Sequence, residues 1–321
     1  MLREDLINIP SYVPGKRITG AIKLSSNELA HGALPSVKEA LEKIEVNRYP
    51  DMFALTLREA LATFFGLTAE QVAIGCGSSA LCQQLVQITC INFNDEVIYP
   101  WRSFEAYPIF VDVCGAKKVP IPLHNEAVDL DRIADAVTEN TKLIFLCNPN
   151  NPSGTAFTGE EFDAFMARIP YDVVVALDEA YIEFADVESG IGKLSRYPNL
   201  VILRTFSKAY GLAGLRVGYA LGSPTLIDAL LKVAIPFSVS APAQAAALAS
   251  LKAQDELAAR VDEVRIQRQR IIEQLGAIPS QANFVWLPNQ QWEKEGVIVR
   301  HFPEGTRITV TTEEETNKLL S

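Results

Sequence analysis

The sequence predicts an α/β protein, with a mostly parallel seven-stranded sheet flanked by helices and a smaller α+β domain beside it. Three observations carry this. Between residues 71 and 222, seven short β-rich runs alternate with helix-forming stretches. Several of the runs are apolar without a break, as strands covered on both faces are. After Pro236 the texture changes to long helix-forming sequence followed by further short strand-like runs.

In chain order the runs are "QVAIG" (71–75), "EVIYP" (96–100), "KKVPI" (117–121), "KLIFLCNP" (142–149), "VVVALDEAY" (173–181), "LVILRTFS" (200–207) and "RVGYALG" (216–222). Between them, "SSALCQQLVQITC" and "TGEEFDAFMARI" carry helical signals. In the second, Thr158 and Glu161 have the spacing of a capping box. From Ala241 to Gly276 nearly every residue favours helix, and two helices are expected with a break near Lys252 to Asp255. The segment is too short for three or four clean heptads, which argues against a coiled coil. "ANFVWLP", "GVIVR" and "TRITVT" then read as strands of the smaller domain. The expected division is a large domain at 37–236 and a small one formed by both termini, 1–36 and 237–321.

Composition removes several function classes. A net charge of −10 over 321 residues makes a nucleic-acid backbone a poor partner. No apolar run approaches the roughly 20 residues of a membrane helix, and the first fifteen residues lack the apolar core of a signal peptide. The five cysteines form no C-x-x-C pair, which fits free thiols in a reducing, cytoplasmic setting and no bound metal.

In open α/β sheets, ligands bind beyond the carboxyl ends of the strands. "GCGSSAL" follows the first run and opens a helix. Its glycines and Ser78 and Ser79 form a candidate phosphate cup, although a serine N-cap explains the same letters. "CNPNNPSGT" follows the fourth run and holds Asn151 in a stiff turn, or is a turn and nothing more. Asp178 follows four apolar residues in the fifth run, where burial demands a partner; capping the next segment is its other reading. Lys208 ends the sixth run. In a desolvated pocket its pKa falls and it can form a Schiff base, whereas on a surface it would be an ordinary solvated lysine.

Taken together, "NPNNPSG", "DEAY" and "TFSKAYGLAGLRVGY" resemble the pyridoxal-phosphate aminotransferases of fold type I, in the branch of histidinol-phosphate and aromatic aminotransferases. The likeness covers almost the whole chain. "KLSSNE", "NRYPD", "GCGSSALCQQLVQ" and "PWRSFEAYPIF" are similar to stretches of actinobacterial aromatic (phenylalanine) aminotransferases. The resemblance implies pyridoxal 5'-phosphate attached at Lys208, which also moves the substrate proton. It implies Asp178 at the pyridine nitrogen and Tyr181 and Asn151 at the phenolic oxygen. Phe104 would stack on the ring. Ser78, Ser79, Ala80, Ser207 and Arg216 would hold the phosphate, joined by Tyr49 from the other subunit of a homodimer. Arg307 would grip the substrate carboxylate, with Asn27, Tyr12 and Arg300 lining the same site.

The implied reaction is ping-pong transamination of an aromatic L-amino acid with 2-oxoglutarate. Histidinol phosphate is the alternative donor, and decarboxylation of a phosphorylated amino acid is a third reading within the fold. A cofactor-binding regulator is a fourth, disfavoured because the chain has no basic patch or DNA-binding segment. Only "NQQWEK" separates "NFVWLP" from "EGVIVR", where relatives carry a longer helical stretch. That shortening is expected to bear on how Arg300 and Arg307 are held.

Overall fold

The computed structural model describes residues 3, 6, 7, 9–12, 15 and 18–321. After β1 (Ile22–Lys23) come helices α1 (Pro35–Glu42) and α2 (Leu55–Phe65), β2 (Val72–Gly75), α3 (Gly77–Thr89) and β3 (Glu96–Trp101). Next are α4 (Tyr107–Cys114), β4 (Lys117–Pro122), α5 (Leu130–Asp135), β5 (Thr141–Cys147), α6 (Gly159–Met166) and β6 (Val174–Asp178). Then follow β7 (Leu200–Thr205), β8 (Gly218–Gly222), α7 (Pro224–Val233), α8 (Ala241–Lys252) and α9 (Gln254–Leu275). The chain closes with β9 (Phe284–Pro288), β10 (Val297–Ile298), β11 (Arg300–Phe302), β12 (Gly305–Thr309) and α10 (Glu313–Leu320).

The seven sequence runs form one seven-stranded sheet in the order β2-β8-β7-β6-β5-β3-β4. Strands β4, β3, β5, β6 and β7 pair in parallel, while β8 runs antiparallel to both its neighbours. Side chains alternate through the sheet into two cores. Leu143, Phe145, Ala176 and Leu203 pack on one face with residues of α3, α4 and α7. Ile144, Leu146, Val175 and Ile202 pack on the other with residues of α6, α8 and α9. Coverage on both faces is why these runs are apolar without a break.

Local signals are realised where they were read. Thr158 Oγ1 accepts from Glu161 N–H at 3.2 Å, and the Glu161 carboxylate accepts from Thr158 N–H at 2.7 Å, closing the capping box of α6. The long helical segment breaks at Ala253, between α8 and α9.

The amino-terminal segment joins the carboxy-terminal strands. β1 pairs in parallel with β10, and β11, β12 and β9 form an antiparallel sheet. Leu24 N–H donates to Ile298 O at 2.7 Å, and Thr309 N–H donates to Leu24 O at 2.9 Å. The short connection between β9 and β10 has no helix. It is held by Trp292 N–H, which donates to Thr306 Oγ1 at 3.0 Å, and by Lys294 Nζ on the Lys318 and Leu319 carbonyls. Arg300 and Arg307 stand opposite each other across β11 and β12, so the shortening leaves that ladder intact.

Candidate active site

The carboxyl ends of the parallel strands and the start of α3 surround a cavity of about 550 Å³. Lys208 lies three residues beyond β7, half-buried at its wall. Its Nζ donates to Ser26 O at 3.1 Å and stands 5.7 Å from the Tyr181 ring centroid. Burial, aided by the Arg307 charge, lowers the amine to about 7. Asp178 ends β6 and is buried. Burial raises its carboxyl to about 6, opposed by the hydrogen bond from Tyr107 and by Lys208. Tyr107 Oη donates to Asp178 Oδ2 at 2.8 Å, and Ala180 N–H donates to Oδ1 at 3.2 Å. The capping alternative for Asp178 does not describe this geometry, since Tyr181 is the residue that precedes the next helical turn.

On the far side, α3 begins with its first N–H groups aimed outward, as every helix start leaves them. Cys76 holds the cap position and makes no side-chain capping bond, so Ser78 and Ser79 are not N-caps. Both line the cavity. Arg216 adopts a left-handed backbone, φ 56°, and its Nη1 donates to Ser207 Oγ at 3.3 Å and to Ala213 O at 3.0 Å. Two glycines bring these parts together. A Cβ on Gly77 would meet Arg216 Nη2 at 2.4 Å, and one on Gly218 would meet Ser78 N at 2.5 Å. Helix start, guanidinium and serine hydroxyl thus converge as a cradle for an oxyanion.

Beside the cavity, Tyr181 Oη accepts from Asn27 Nδ2 at 3.0 Å. Burial, eased by the Arg307 charge, holds this phenol well above its ordinary range. Asn27 is fixed in a left-handed conformation, φ 55°, by Thr309. The Thr309 hydroxyl accepts from Asn27 N–H at 2.9 Å and donates to Asn27 Oδ1 at 3.2 Å. Arg307 is buried; its Nη1 donates to Asn151 Oδ1 at 2.5 Å and its Nη2 to Ser25 O at 2.7 Å, while Nε has no partner. Burial disfavours its charge. Among the described residues it forms no ion pair, so it is a buried cation in need of an anion.

Tyr12, Ser78, Ser79, Phe104, Asn151, Asp178, Tyr181, Ser207, Lys208 and Arg216 all line this one cavity. Asn27 and Arg307 stand behind its wall, bonded to Tyr181 and Asn151. Ala80 lies in the first turn of α3, off the wall. Arg300 is held by Glu105 at 2.7 Å. Tyr49 is 82% exposed and stacks on Phe237 at 4.7 Å, outside the cavity. Sequence reasoning missed Tyr107 and Thr205. Thr205 lines the cavity, accepts from Ser207 N–H at 3.0 Å and donates to Ser207 Oγ at 2.9 Å. Thr205 ends β7, a signal that could have found it, whereas Tyr107 opens α4 and carries none. Among the described residues no His, Cys, Asp and Glu cluster is placed to hold a metal, and no helix is long and apolar enough to cross a membrane.

A buried carboxylate, an amine kept partly neutral and an oxyanion cradle around one cavity suit a phosphorylated cofactor that bears a carbonyl and a basic ring nitrogen. Fold and site together thus define the class of pyridoxal-phosphate enzymes of fold type I. Residues 19–321 match the family described as aminotransferase class I and II. An aromatic amino acid aminotransferase of Corynebacterium efficiens is 58% identical over 334 aligned positions, spanning 100% of this chain and 97% of that protein. One from Nocardia farcinica is 50% identical, spanning 99% and 95%. Among solved structures, the histidinol-phosphate aminotransferase of Sinorhizobium meliloti in complex with pyridoxal-5'-phosphate matches with a TM-score of 0.87 at 30% identity, over 93% of this chain and 88% of that one. The chain belongs to the class I and II aminotransferases and is a pyridoxal-phosphate-dependent transaminase.

Proposed function

We propose that this transaminase takes its amine from an aromatic L-amino acid of the phenylalanine type and delivers it to a 2-oxo acid, 2-oxoglutarate, in a ping-pong cycle. The observation that carries this is the buried, unpaired Arg307 guanidinium behind a cavity with an apolar wall of Phe104, Ile109 and Phe110. A carboxylate at one end and an aromatic side chain at the other match those features. The name of the 58% identical relative supports the same reading.

When bound, pyridoxal 5'-phosphate supplies an electron sink for the pair released at the substrate α-carbon. The residues of this chain do the rest. Lys208 would attach the cofactor, and its amine, lowered by burial, would move the proton at the substrate α-carbon. Asp178, held in place by the Tyr107 hydroxyl, would present its carboxylate to the ring nitrogen. Tyr181 and Asn151 would serve the phenolic oxygen, and Phe104 would cover the ring. Ser78, Ser79, Ala80, Ser207 and Arg216 hold the phosphate. Arg307 grips the α-carboxylate in two-point fashion, which fixes the direction of the C–H bond; Asn27, Tyr12 and Arg300 complete the donor site.

A homodimer belongs to this reading, with Tyr49 of the partner subunit reaching the phosphate. Its support is the position of Tyr49 outside its own cavity, exposed and stacked on Phe237. The domain division at residues 36/37 and 236/237 belongs to it as well, supported by the β1–β10 pairing. So does a cytoplasmic setting, supported by five unpaired thiols.

The test is spectroscopic. Protein loaded with cofactor shows a visible band that Lys208→Ala lacks, and phenylalanine bleaches it in one turnover. Bleaching by histidinol phosphate alone would replace the donor, and release of carbon dioxide would replace the reaction.

A further inference from the structure

Three guanidinium groups surround the Phe302 ring, each with its central carbon 5.6 Å from the ring centroid: Arg102, Arg300 and Arg307. Their charges are treated differently. Arg102 is bound through two nitrogens to Glu304, at 2.8 and 3.0 Å. Arg300 is bound to Glu105 at 2.7 Å, with both side chains mostly shielded, 17% and 28% exposed. Arg307 bonds to neutral oxygens only.

Glu105 is set between Phe104 and Ala106, both of which line the cavity. Its charge also acts on Arg307, whose cationic form it favours. Two of the three cations are therefore cancelled by carboxylates, and one remains for a ligand. A carboxylate carries one negative charge, whereas a phosphate monoester carries roughly 1.5 to 2 at neutral pH. The larger charge requires a second cation, and the nearby Arg300 is already matched by Glu105.

We infer that Glu105 is a specificity-determining residue: by occupying Arg300 it matches the donor site to a carboxylate and turns away phosphate monoesters. The inference rests on the carboxylate-donor reading above and names the residue that enforces it.

The test uses two ligands with a common ring and no amine, 3-phenylpropionate and 2-phenylethyl phosphate, titrated calorimetrically into the cofactor-loaded protein. The unaltered protein favours the carboxylate. Glu105→Gln shifts the ratio of the two dissociation constants toward the phosphate by about tenfold or more, since a unit charge a few ångströms away has been removed. Glu105→Asp retains the original ratio. The double variant Glu105→Gln/Arg300→Gln loses the gain, because the Arg300 charge is gone as well. Equal weakening of both ligands, or a ratio unmoved within about twofold, overturns the inference. Equally tight binding of the phosphate by the unaltered protein overturns it too, and needs no variant. Should Glu105→Gln fail to fold, Glu105→Ser reads the same ratio. If histidinol phosphate reacts in the unaltered protein and phenylalanine does not, the donor reading itself fails. If phenylalanine reacts and the Glu105→Gln ratio is unmoved, this inference alone fails.

Discussion

Lys208 and Asp178 meet the same burial with opposite consequences: the amine falls to about 7 and the carboxyl rises to about 6. The neutral amine is the nucleophile, so attachment of cofactor to the emptied protein should quicken as pH rises through about 7 and then level off. Stopped-flow absorbance checks this, and Lys208→Ala should show no attachment at any pH. The carboxylate must be ionised to pair with a cationic ring nitrogen, so cofactor affinity should weaken as pH falls through about 6. The cofactor phosphate also titrates there. The decisive comparison is Asp178→Asn, which should bind more weakly at pH 7 and show a shallower acid fall. At Gly77, φ of +73° and the Arg216 contact both oppose a side chain. Gly77→Ala brings left-handed strain of ~1–2 kcal/mol, which is about tenfold in cofactor affinity where binding bears it; equilibrium titration with cofactor reads it. Lys208, Asp178 and Asn151 were legible because each follows a strand that the apolar runs mark. Tyr107 and Glu105 were not. Their partners, Asp178 and Arg300, lie 71 and 195 residues away in the chain, and a tyrosine beside "PIF" reads as core.

The elements differ in how much their own letters determine. The capping box of α6 and the break between α8 and α9 depend on neighbours a few residues apart, and both were legible. "GVIVR" read as one strand, yet it is divided at Val299 between β10 and β11. The cause is non-local: β10 pairs with β1 while β11 pairs with β12. The same long-range stitching positions the substrate side of the site. Asn27 owes its unusual backbone to Thr309 on β12, and through Asn27 the hydroxyl of Tyr181 is held. Thr309→Val keeps the shape and removes the hydroxyl, leaving Asn27 N–H and Oδ1 buried without that partner. The expected cost is about 1–3 kcal/mol of stability, read as a lower denaturation midpoint. The KM for the amino donor should also rise several-fold, since Asn27 holds the hydroxyl of Tyr181, which lines the cavity. Unchanged stability and KM together would show that the Thr309 hydroxyl does not fasten Asn27, β12 still holding the amino-terminal segment through the backbone bond to Leu24.

At the scale of the whole molecule, Tyr49 is the residue that a single chain leaves without a task. It stacks on Phe237, next in the chain to Pro236, which shares a shallow depression with exposed Met52, Phe53 and Ile235, apolar surface of the kind that marks an association surface. A two-fold dimer would cover that patch with its own copy and carry each Tyr49 toward the opposite cavity. If so, the active site is shared, and damage in one chain can be repaired by another. Lys208→Ala and Tyr49→Ala should each be crippled as homodimers, the first through chemistry and the second through phosphate binding at limiting cofactor. In a mixed dimer one cavity receives both lesions. The other receives an intact Lys208 from one chain and an intact Tyr49 from its partner. After dissociation and random reassociation of equal amounts, half the dimers are mixed and half of their sites are whole. Activity should therefore recover to roughly a quarter of the unaltered protein. The control is the same mixture without dissociation, which should stay at the mean of the two variants. Recovery no greater than that mean would place Tyr49 in the service of its own chain, and the site would have to be rebuilt within one subunit.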